Sequence, residues 1–246
     1  MFYVLYTLYR LKLMSNYLHS TFPPHIDKAA IQVLPIVRFE GEVIIVDHPD
    51  KIAEAVEYLN QQTILGVDTE ARPSFKRGVH YPTALVQVAT LEKCYLFRLT
   101  HIGMPKELAD IFANPNICKV GLAFKDDLTG LKRRRDFKPY NCVDLQSIVC
   151  RYGIMELGLQ KIFAIIFGKK ISKAQQLTNW ENSHLTEEQA HYASTDAWAT
   201  LTIYLELQKT KPLSKKEVEA LKQSEREAQI LRQQQALALK ALKEQP

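Results

Sequence analysis

The hydrophobic pattern becomes regular at residue 43 and remains so to about residue 208. Short apolar runs rich in β-formers predict strands, and apolar positions at helical spacing predict helices. The predicted strands cover residues 43–46, 63–70, 84–89, 94–97 and 117–122. The predicted helices cover residues 51–61, 105–112, 125–135, 145–152, 157–167 and 186–207. This order favours an α/β domain with a mixed sheet flanked by helices, in which three antiparallel strands precede the parallel ones.

Composition shifts divide the chain into an N-terminal extension (1–42), this domain (43–210) and a C-terminal tail (211–246). The tail is rich in Lys, Glu, Gln, Leu and Ala, which predicts a long basic helix. Its apolar positions carry a faint heptad signal at Leu221, Ala228, Leu231, Ala238 and Leu242. Two interpretations remain open, an exposed or partly docked helix and a coiled coil that binds a protein partner.

The first 18 residues are apolar, but Arg10 and Lys12 interrupt the apolar run and follow its first part. This is not the order of a signal peptide, and the run is too short and too charged for a membrane span. We therefore expect no membrane association. The segment is predicted to be a loosely attached helix or an over-extended reading frame whose true start is Met14.

The 246 residues are 46% hydrophobic and 24% charged, which excludes a disordered, collagenous or disulfide-scaffold protein. The four cysteines are far apart, and Cys94 and Cys118 fall in apolar strands, which indicates a reduced cytoplasmic protein without a structural zinc. The formal net charge is +5. Residues 209–246 contribute +4 of it, so the domain is nearly neutral and its net charge says little about a nucleic-acid partner.

Acidic residues occupy three positions at the ends of predicted elements. Asp68 and Glu70 alternate on one strand and therefore share a face. Asp126 and Asp127 open the helix after the 117–122 strand, where a capping role is an equally simple explanation.

The third position combines a carboxylate with a phenol. Tyr192 and Asp196 are four residues apart on a predicted helix and project from the same side. If the three positions converge, their carboxylates repel one another unless cations neutralise them. Oxygen ligands select hard ions, which predicts two Mg²⁺ or Mn²⁺ ions of the kind that support phosphodiester hydrolysis.

Three sequence blocks, VDTEAR, VGLAFKDDLTGL and LTNWENSHLTEEQAHYASTDAWA, resemble the DEDDy class of 3′-to-5′ exonucleases, which includes ribonuclease D and the Werner syndrome exonuclease domain. The resemblance covers about residues 43–208 and implies a ribonuclease-H-like fold. It implies that Asp68 bridges two metal ions and that Glu70 and Asp196 complete the coordination shell of the ion on the nucleophile side. Asp127 is then expected to hold the ion on the leaving-group side. Tyr192 is then expected to orient the attacking water.

The register of the family's second block favours Asp127 over Asp126. The resemblance further implies that Lys76, Arg77 and His80 approach the substrate strand, although a solvated loop explains them equally well. The basic run 132–135 either attracts phosphates or is a solvated helix end. Trp180 and Trp198 are predicted to lie in the core.

We therefore expect a metal-dependent 3′-to-5′ exonuclease that acts on single-stranded or frayed 3′ ends of DNA or RNA and releases nucleoside 5′-monophosphates. The alternative is a catalytically silent nucleic-acid-binding or polymerase-associated module of the same fold. No motif distinguishes DNA from RNA, since that choice depends on contacts to the 2′-hydroxyl.

Overall fold

The computed structural model describes residues 20–76 and 78–243. Within those ranges the strands are β1 (Glu42–Val46), β2 (Ile64–Ala71), β3 (Thr83–Ala89), β4 (Lys93–Arg98), β5 (Cys118–Gly121) and β6 (Cys142–Asp144). The α-helices are α1 (Lys28–Gln32), α2 (Ile52–Asn60), α3 (Leu99–Ile102), α4 (Lys106–Ala113), α5 (Phe124–Arg134), α6 (Leu145–Ile148), α7 (Leu159–Phe167), α8 (Glu187–Lys209) and α9 (Lys215–Lys243). Two 3₁₀ turns cover Pro49–Lys51 and Val149–Tyr152.

The six strands form one sheet in the order β1-β4-β3-β2-β5-β6. The β2, β3 and β4 strands pair antiparallel, whereas β5 and β6 continue the sheet from β2 in parallel. At the other edge β1 pairs parallel with β4. The expected mixed sheet of three antiparallel strands followed by parallel ones is confirmed. The prediction omitted β6, because three residues are too short to establish an alternating pattern.

Helices cover both faces of the sheet. On β3, Val86 and Val88 point into a core shared with α2, α4 and α5, whereas Leu85 and Ala89 point into a core shared with α8. This division follows from the two-residue period of a strand. All four of these β3 side chains are fully buried, so the central strands are shielded on both sides.

Helix α8 lies directly against β2. A Cβ atom on Gly66 of β2 would lie only 2.1 Å from the carbonyl oxygen of Ala197 of α8, so only glycine permits this approach. A capping box starts the helix, in which Thr186 accepts from the Gln189 amide and Gln189 accepts from the Thr186 amide. The close contact sets the position of every side chain that α8 directs at β2.

The described residues on either side of the 43–210 domain contact it. Phe39 is buried and its amide donates to Thr195 Oγ1 at 3.0 Å. The tail forms the predicted helix, α9, whose Leu221 and Ala228 are buried while Leu231 is 40% exposed. Helix α9 therefore docks through its first half. The predictions about residues 1–18 and Met14 lie outside the described residues.

Among the described helices, none combines the length and apolar character that a membrane crossing requires.

Candidate functional site

Strand β2 carries two carboxylates near its C-terminal end. Asp68 pairs with Gln87 and Glu70 with Leu85 of β3, and the pairing shifts between Glu70 and Ala71. Because Asp68 and Glu70 are two residues apart, both side chains point towards α8. The predicted common face is therefore present in the fold.

Helix α8 adds a third carboxylate to this pair. Asp196 precedes Ala197, the residue that touches Gly66, and its side chain is 8% exposed. One carboxylate oxygen from each of Asp68, Glu70 and Asp196 lies within 4.8 Å of the others. Residues 128 positions apart in the sequence thus form one acidic cluster, named here the carboxylate triad.

Tyr192 lies one turn before Asp196 on the same helix. Its hydroxyl hydrogen-bonds the Asp196 carboxylate, and its ring centre lies 6.0 Å from that of Trp180. Burial first, and then the neighbouring carboxylates, raise the pKa of Tyr192, so the metal-free protein keeps this phenol protonated. Trp180 is fully buried as predicted, whereas Trp198 is only partly buried.

Asp127 approaches the triad from the start of α5. Its carboxylate accepts a hydrogen bond from the Thr69 hydroxyl, and its charge contributes to raising the pKa of both Asp68 and Glu70. The adjacent Asp126 is exposed. The structure therefore brings Asp127 rather than Asp126 towards the other carboxylates.

Asp144 fixes the turn from which α5 starts. Its two carboxylate oxygens accept from the amides of Ala123, Phe124 and Gln146, each at 3.0 Å. Ala123 has a φ of 54°, a left-handed conformation that is costly for alanine and is stabilised here by that hydrogen bond. The sequence pattern gave no reason to single out Asp144, because two of its three partners, the amides of Ala123 and Phe124, are about 20 residues away.

The carboxylates are electrostatically unfavourable as a group. Burial is the largest cause in each case: it and the neighbouring carboxylates raise the pKa of Asp68 well above its usual range and that of Glu70 to about 9. Burial also raises the pKa values of Asp127 and Asp196 to about 7, although hydrogen bonds from Thr69 and Tyr192 oppose the increase. A divalent cation would relieve this repulsion.

The donor set fits a hard divalent cation. Asp68, Glu70 and Asp196 offer only oxygen atoms, the ligands that Mg²⁺ and Mn²⁺ prefer. A buried polar group beside them supports the same conclusion. Gln87 is 0% exposed and lies opposite Asp68 across the strand pair, and both polar atoms of its amide lack a hydrogen-bond partner.

Two residues of the site were not predicted. Thr69 was overlooked because strict alternation directs it away from Asp68 and Glu70, yet its hydroxyl reaches Asp127. Gln87 has a recognisable signal, since it is the one strongly polar residue in the run ALVQVA of β3. A polar residue within such an apolar strand requires a partner when it is buried.

The described residues among those predicted to contact the substrate are not part of the acidic cluster. Lys76 and His80 are exposed in the loop between β2 and β3, and Arg77 lies outside the described residues. Their role in substrate binding remains a prediction.

The basic run at the end of α5 divides into two kinds of side chain. Lys132 and Arg133 are exposed. By contrast, the half-buried Arg134 donates to the Leu99 carbonyl at 3.3 Å, and Arg135, although exposed, donates to the Met104 carbonyl at 2.7 Å. The interpretation of the whole run as a solvated helix end is thus too simple.

Comparison with known proteins identifies a family. A 3′-5′ exonuclease family model matches residues 43–211. Mouse WRN, a bifunctional 3′-5′ exonuclease/ATP-dependent helicase, is 30% identical over 187 residues, which cover 71% of this chain and 13% of WRN. An Arabidopsis thaliana 3′-5′ exonuclease is 29% identical over 146 residues, or 57% of this chain and 51% of that protein. The chain thus matches about half or less of these relatives.

Solved structures share the architecture. Escherichia coli RNase D superposes with a TM-score of 0.63 at 23% identity, covering 78% of this chain and 50% of RNase D. The Aedes aegypti Nibbler EXO domain superposes with a TM-score of 0.62 at 24% identity, covering 74% of this chain and 96% of that domain. These likenesses establish the ribonuclease-H-like exonuclease fold. The family match over residues 43–211 shows that the chain belongs to the 3′-5′ exonuclease family of the DEDDy type.

Proposed function

We propose that this protein is a metal-dependent 3′-to-5′ exonuclease that hydrolyses the terminal phosphodiester bond of DNA or RNA and releases nucleoside 5′-monophosphates. The observation that carries the proposal is the convergence of Asp68, Glu70 and Asp196 within 4.8 Å, beside Asp127 and Tyr192. Mutual repulsion would select against such a cluster in a purely structural role. Membership of the exonuclease family supports the same reaction class.

The carboxylates would together hold two Mg²⁺ or Mn²⁺ ions. Asp68, Glu70 and Asp196 would provide the position on the nucleophile side, and Asp127, with Asp68, would provide the one on the leaving-group side. When bound, such ions make water a stronger nucleophile at neutral pH and stabilise charge on the leaving oxygen. Thr69 holds Asp127 by its hydroxyl hydrogen bond, so this carboxylate stays oriented.

Tyr192 orients the attacking water. Its raised pKa makes the phenol a hydrogen-bonding group rather than a base, and its hydrogen bond to Asp196 fixes the direction of the hydroxyl. In the reaction the water oxygen bonds to phosphorus while the bond from phosphorus to the 3′ oxygen breaks. The 3′ oxygen takes up a proton, and the water proton passes to solvent.

Related proteins indicate the substrate class. A crystal structure of Trypanosoma brucei RNase D, 19% identical to this chain with a TM-score of 0.62, is a complex with RNA U12. RNA and DNA strands are both proposed substrates here.

The test uses 5′-labelled DNA and RNA oligonucleotides with Mg²⁺ or Mn²⁺. The wild-type protein is expected to shorten them one nucleotide at a time and to release 5′-monophosphates. Asp127→Asn should abolish shortening, while Asp126→Asn, the same substitution at the exposed neighbour, should retain it. No shortening by the wild type under any of these conditions would overturn the proposal. Calorimetry with Mn²⁺ then tests the catalytically silent module, which needs no metal. Absence of Mn²⁺ binding would favour that module.

A further inference from the structure

Two arginines from different elements are affected by Glu181, and one of them, Arg72, forms an ion pair with it. Arg72 Nη1 lies 3.7 Å from Glu181 Oε2. The Glu181 carboxylate also acts on Arg134, since it favours the charged guanidinium and thereby opposes the lowering of the pKa of Arg134 by burial. Arg72 and Arg134 are named here the arginine pair.

Both arginines extend from elements that carry site carboxylates. Arg72 comes two residues after Glu70 at the end of β2. Arg134 comes seven residues after Asp127 on α5, a distance of about 10 Å along the helix axis. Arg134 donates to the carbonyl of Leu99, which follows Arg98, and Arg98 lies in register with Leu85 and Glu70 across the sheet. The arginine pair therefore lies at the end of the sheet that carries the carboxylates.

The glutamate is connected to the site through the segment before α8. Glu181 follows Trp180, whose ring packs on Tyr192. Its amide donates to Asn179 Oδ1 at 3.1 Å, which forms a local turn. The next carbonyl, that of Asn182, accepts a hydrogen bond from the buried Arg98 guanidinium. The position of Glu181 is therefore set by the fold.

Both arginines are oriented in advance and remain partly accessible. The Arg72 guanidinium lies 4.9 Å from the centre of the Tyr81 ring, and its side chain is 48% exposed. Arg134 is half-buried, and one of its nitrogens donates to the Leu99 carbonyl at 3.3 Å. Preorganised guanidinium groups lose little freedom when they bind a phosphate.

The pairing with Glu181 is loose. At 3.7 Å, the contact between Arg72 and Glu181 is longer than a charge-assisted hydrogen bond, which spans about 2.7–2.9 Å. A partly exposed ion pair of this kind contributes little to stability. A phosphate, with more acceptor oxygens, can replace the carboxylate at small cost.

A polyanionic strand also needs positive charge beyond the metal site. Two divalent cations would only balance the four carboxylates, and the domain as a whole is nearly neutral. We propose that Arg72 and Arg134 bind a backbone phosphate on the 5′ side of the scissile bond, and that Glu181 pairs with Arg72 until the strand arrives. This proposal rests on the exonuclease function proposed above.

Binding of a fluorescent single-stranded oligonucleotide, measured by anisotropy at several salt concentrations, tests the arginines. An Asp127→Asn background prevents cleavage during the measurement. Arg72→Gln and Arg134→Gln should each weaken binding and reduce the slope of log affinity against log salt by about 0.7, the value for one phosphate contact on a single strand. Arg133→Gln removes the same charge from the exposed neighbour and should leave the slope unchanged. An equal reduction in Arg133→Gln would overturn the proposal.

Glu181→Gln is expected to change the affinity for the oligonucleotide in the opposite direction. Removing the competing carboxylate should strengthen oligonucleotide binding, because Arg72 then lacks its ion-pair partner Glu181 in the free protein. A purely structural ion pair predicts unchanged or weaker binding and a lower melting temperature. Unchanged or weaker binding by a Glu181→Gln protein that melts like the wild type would contradict the proposal.

A small substrate separates this proposal from the proposed function. The p-nitrophenyl ester of thymidine 5′-monophosphate carries one reactive phosphodiester and no phosphate on its 5′ side. The loss of kcat/KM in Arg72→Gln and Arg134→Gln should be larger for an oligonucleotide than for this ester. Equal losses on both substrates would overturn the phosphate site alone, whereas a wild-type protein inactive on both substrates would overturn the exonuclease function.

Discussion

Gly66 of β2 and Ala197 of α8 are in contact through their backbones, since a Cβ on Gly66 would lie 2.1 Å from the Ala197 carbonyl oxygen. This contact determines how near Asp196 comes to Asp68. A methyl group between the two elements must push α8 away from the sheet.

Gly66→Ala is therefore expected to lower the free energy of unfolding by about 1–3 kcal/mol, as overpacking typically does, and to weaken Mn²⁺ binding. Urea unfolding and calorimetry measure the two effects. Gly158→Ala is the control, because a Cβ there has nothing within 4 Å. A Gly66→Ala protein with wild-type metal affinity would show that the contact does not position Asp196.

Asp196→Asn is expected to stabilise the metal-free protein while it abolishes activity. The folded protein raises the pKa of Asp196 from 3.8 to about 7, so this group costs stability as the pH rises from about 4 through 7. At pH 8 in EDTA the substitution should increase the free energy of unfolding by about 2–4 kcal/mol, at about 1.4 kcal/mol for each pKa unit. At pH 4 the gain should vanish.

Urea unfolding at both pH values measures this difference. Asp126→Asn, an exposed position, should change stability little at either pH. A loss of stability in Asp196→Asn at pH 8 would mean that the carboxylate is structurally favourable without a metal.

Divalent cations should stabilise the wild-type protein in proportion to their binding. At a free concentration 100 times the dissociation constant, a ligand specific for the folded state adds about 2.7 kcal/mol. The melting temperature should rise with Mn²⁺ at pH 8, because the carboxylates bind it in their ionised form. The rise should shrink towards pH 5, because Asp127 and Asp196, whose pKa values are about 7, become protonated in that range and Mn²⁺ must then displace their protons. An Mn²⁺ effect that is independent of pH would argue for binding elsewhere.

Thr69→Val should weaken metal binding and activity by about 10- to 100-fold, the usual effect of losing a partner that orients a metal ligand. The valine keeps the shape of the side chain but cannot donate to Asp127. Thr69→Ser retains the hydroxyl and should remain near the wild type in Mn²⁺ titrations. If Thr69→Val and Thr69→Ser behave alike, the hydrogen bond has no role in orienting Asp127.

The side chains that share one face of a strand or a helix could be predicted from their spacing in the sequence. The alternation of Asp68 and Glu70 and the four-residue spacing of Tyr192 and Asp196 predicted the faces that meet in the structure. Their meeting depends on the approach at Gly66, which no local pattern reveals.

Contacts between distant elements could not be predicted. Alternation places Thr69 on the Val67 face of β2, but nothing local shows that α5 and its Asp127 pack against that face. Asp144 lies at the end of a three-residue strand. The four basic residues after Leu131 look alike in the sequence, but the fold buries Arg134 in part and leaves Arg133 exposed. Tertiary packing, rather than residue type, separates them.

The docking of α8 on β2 also has a consequence for protein synthesis. Asp68 leaves the ribosome early, while Asp196 lies on a helix that ends at Lys209 and buries Leu207 near that end. A nascent chain that stops before this helix lacks a ligand and cannot close the acidic cluster. Truncated translation products should therefore lack the proposed nuclease activity, which would arise only after α8 has been synthesised.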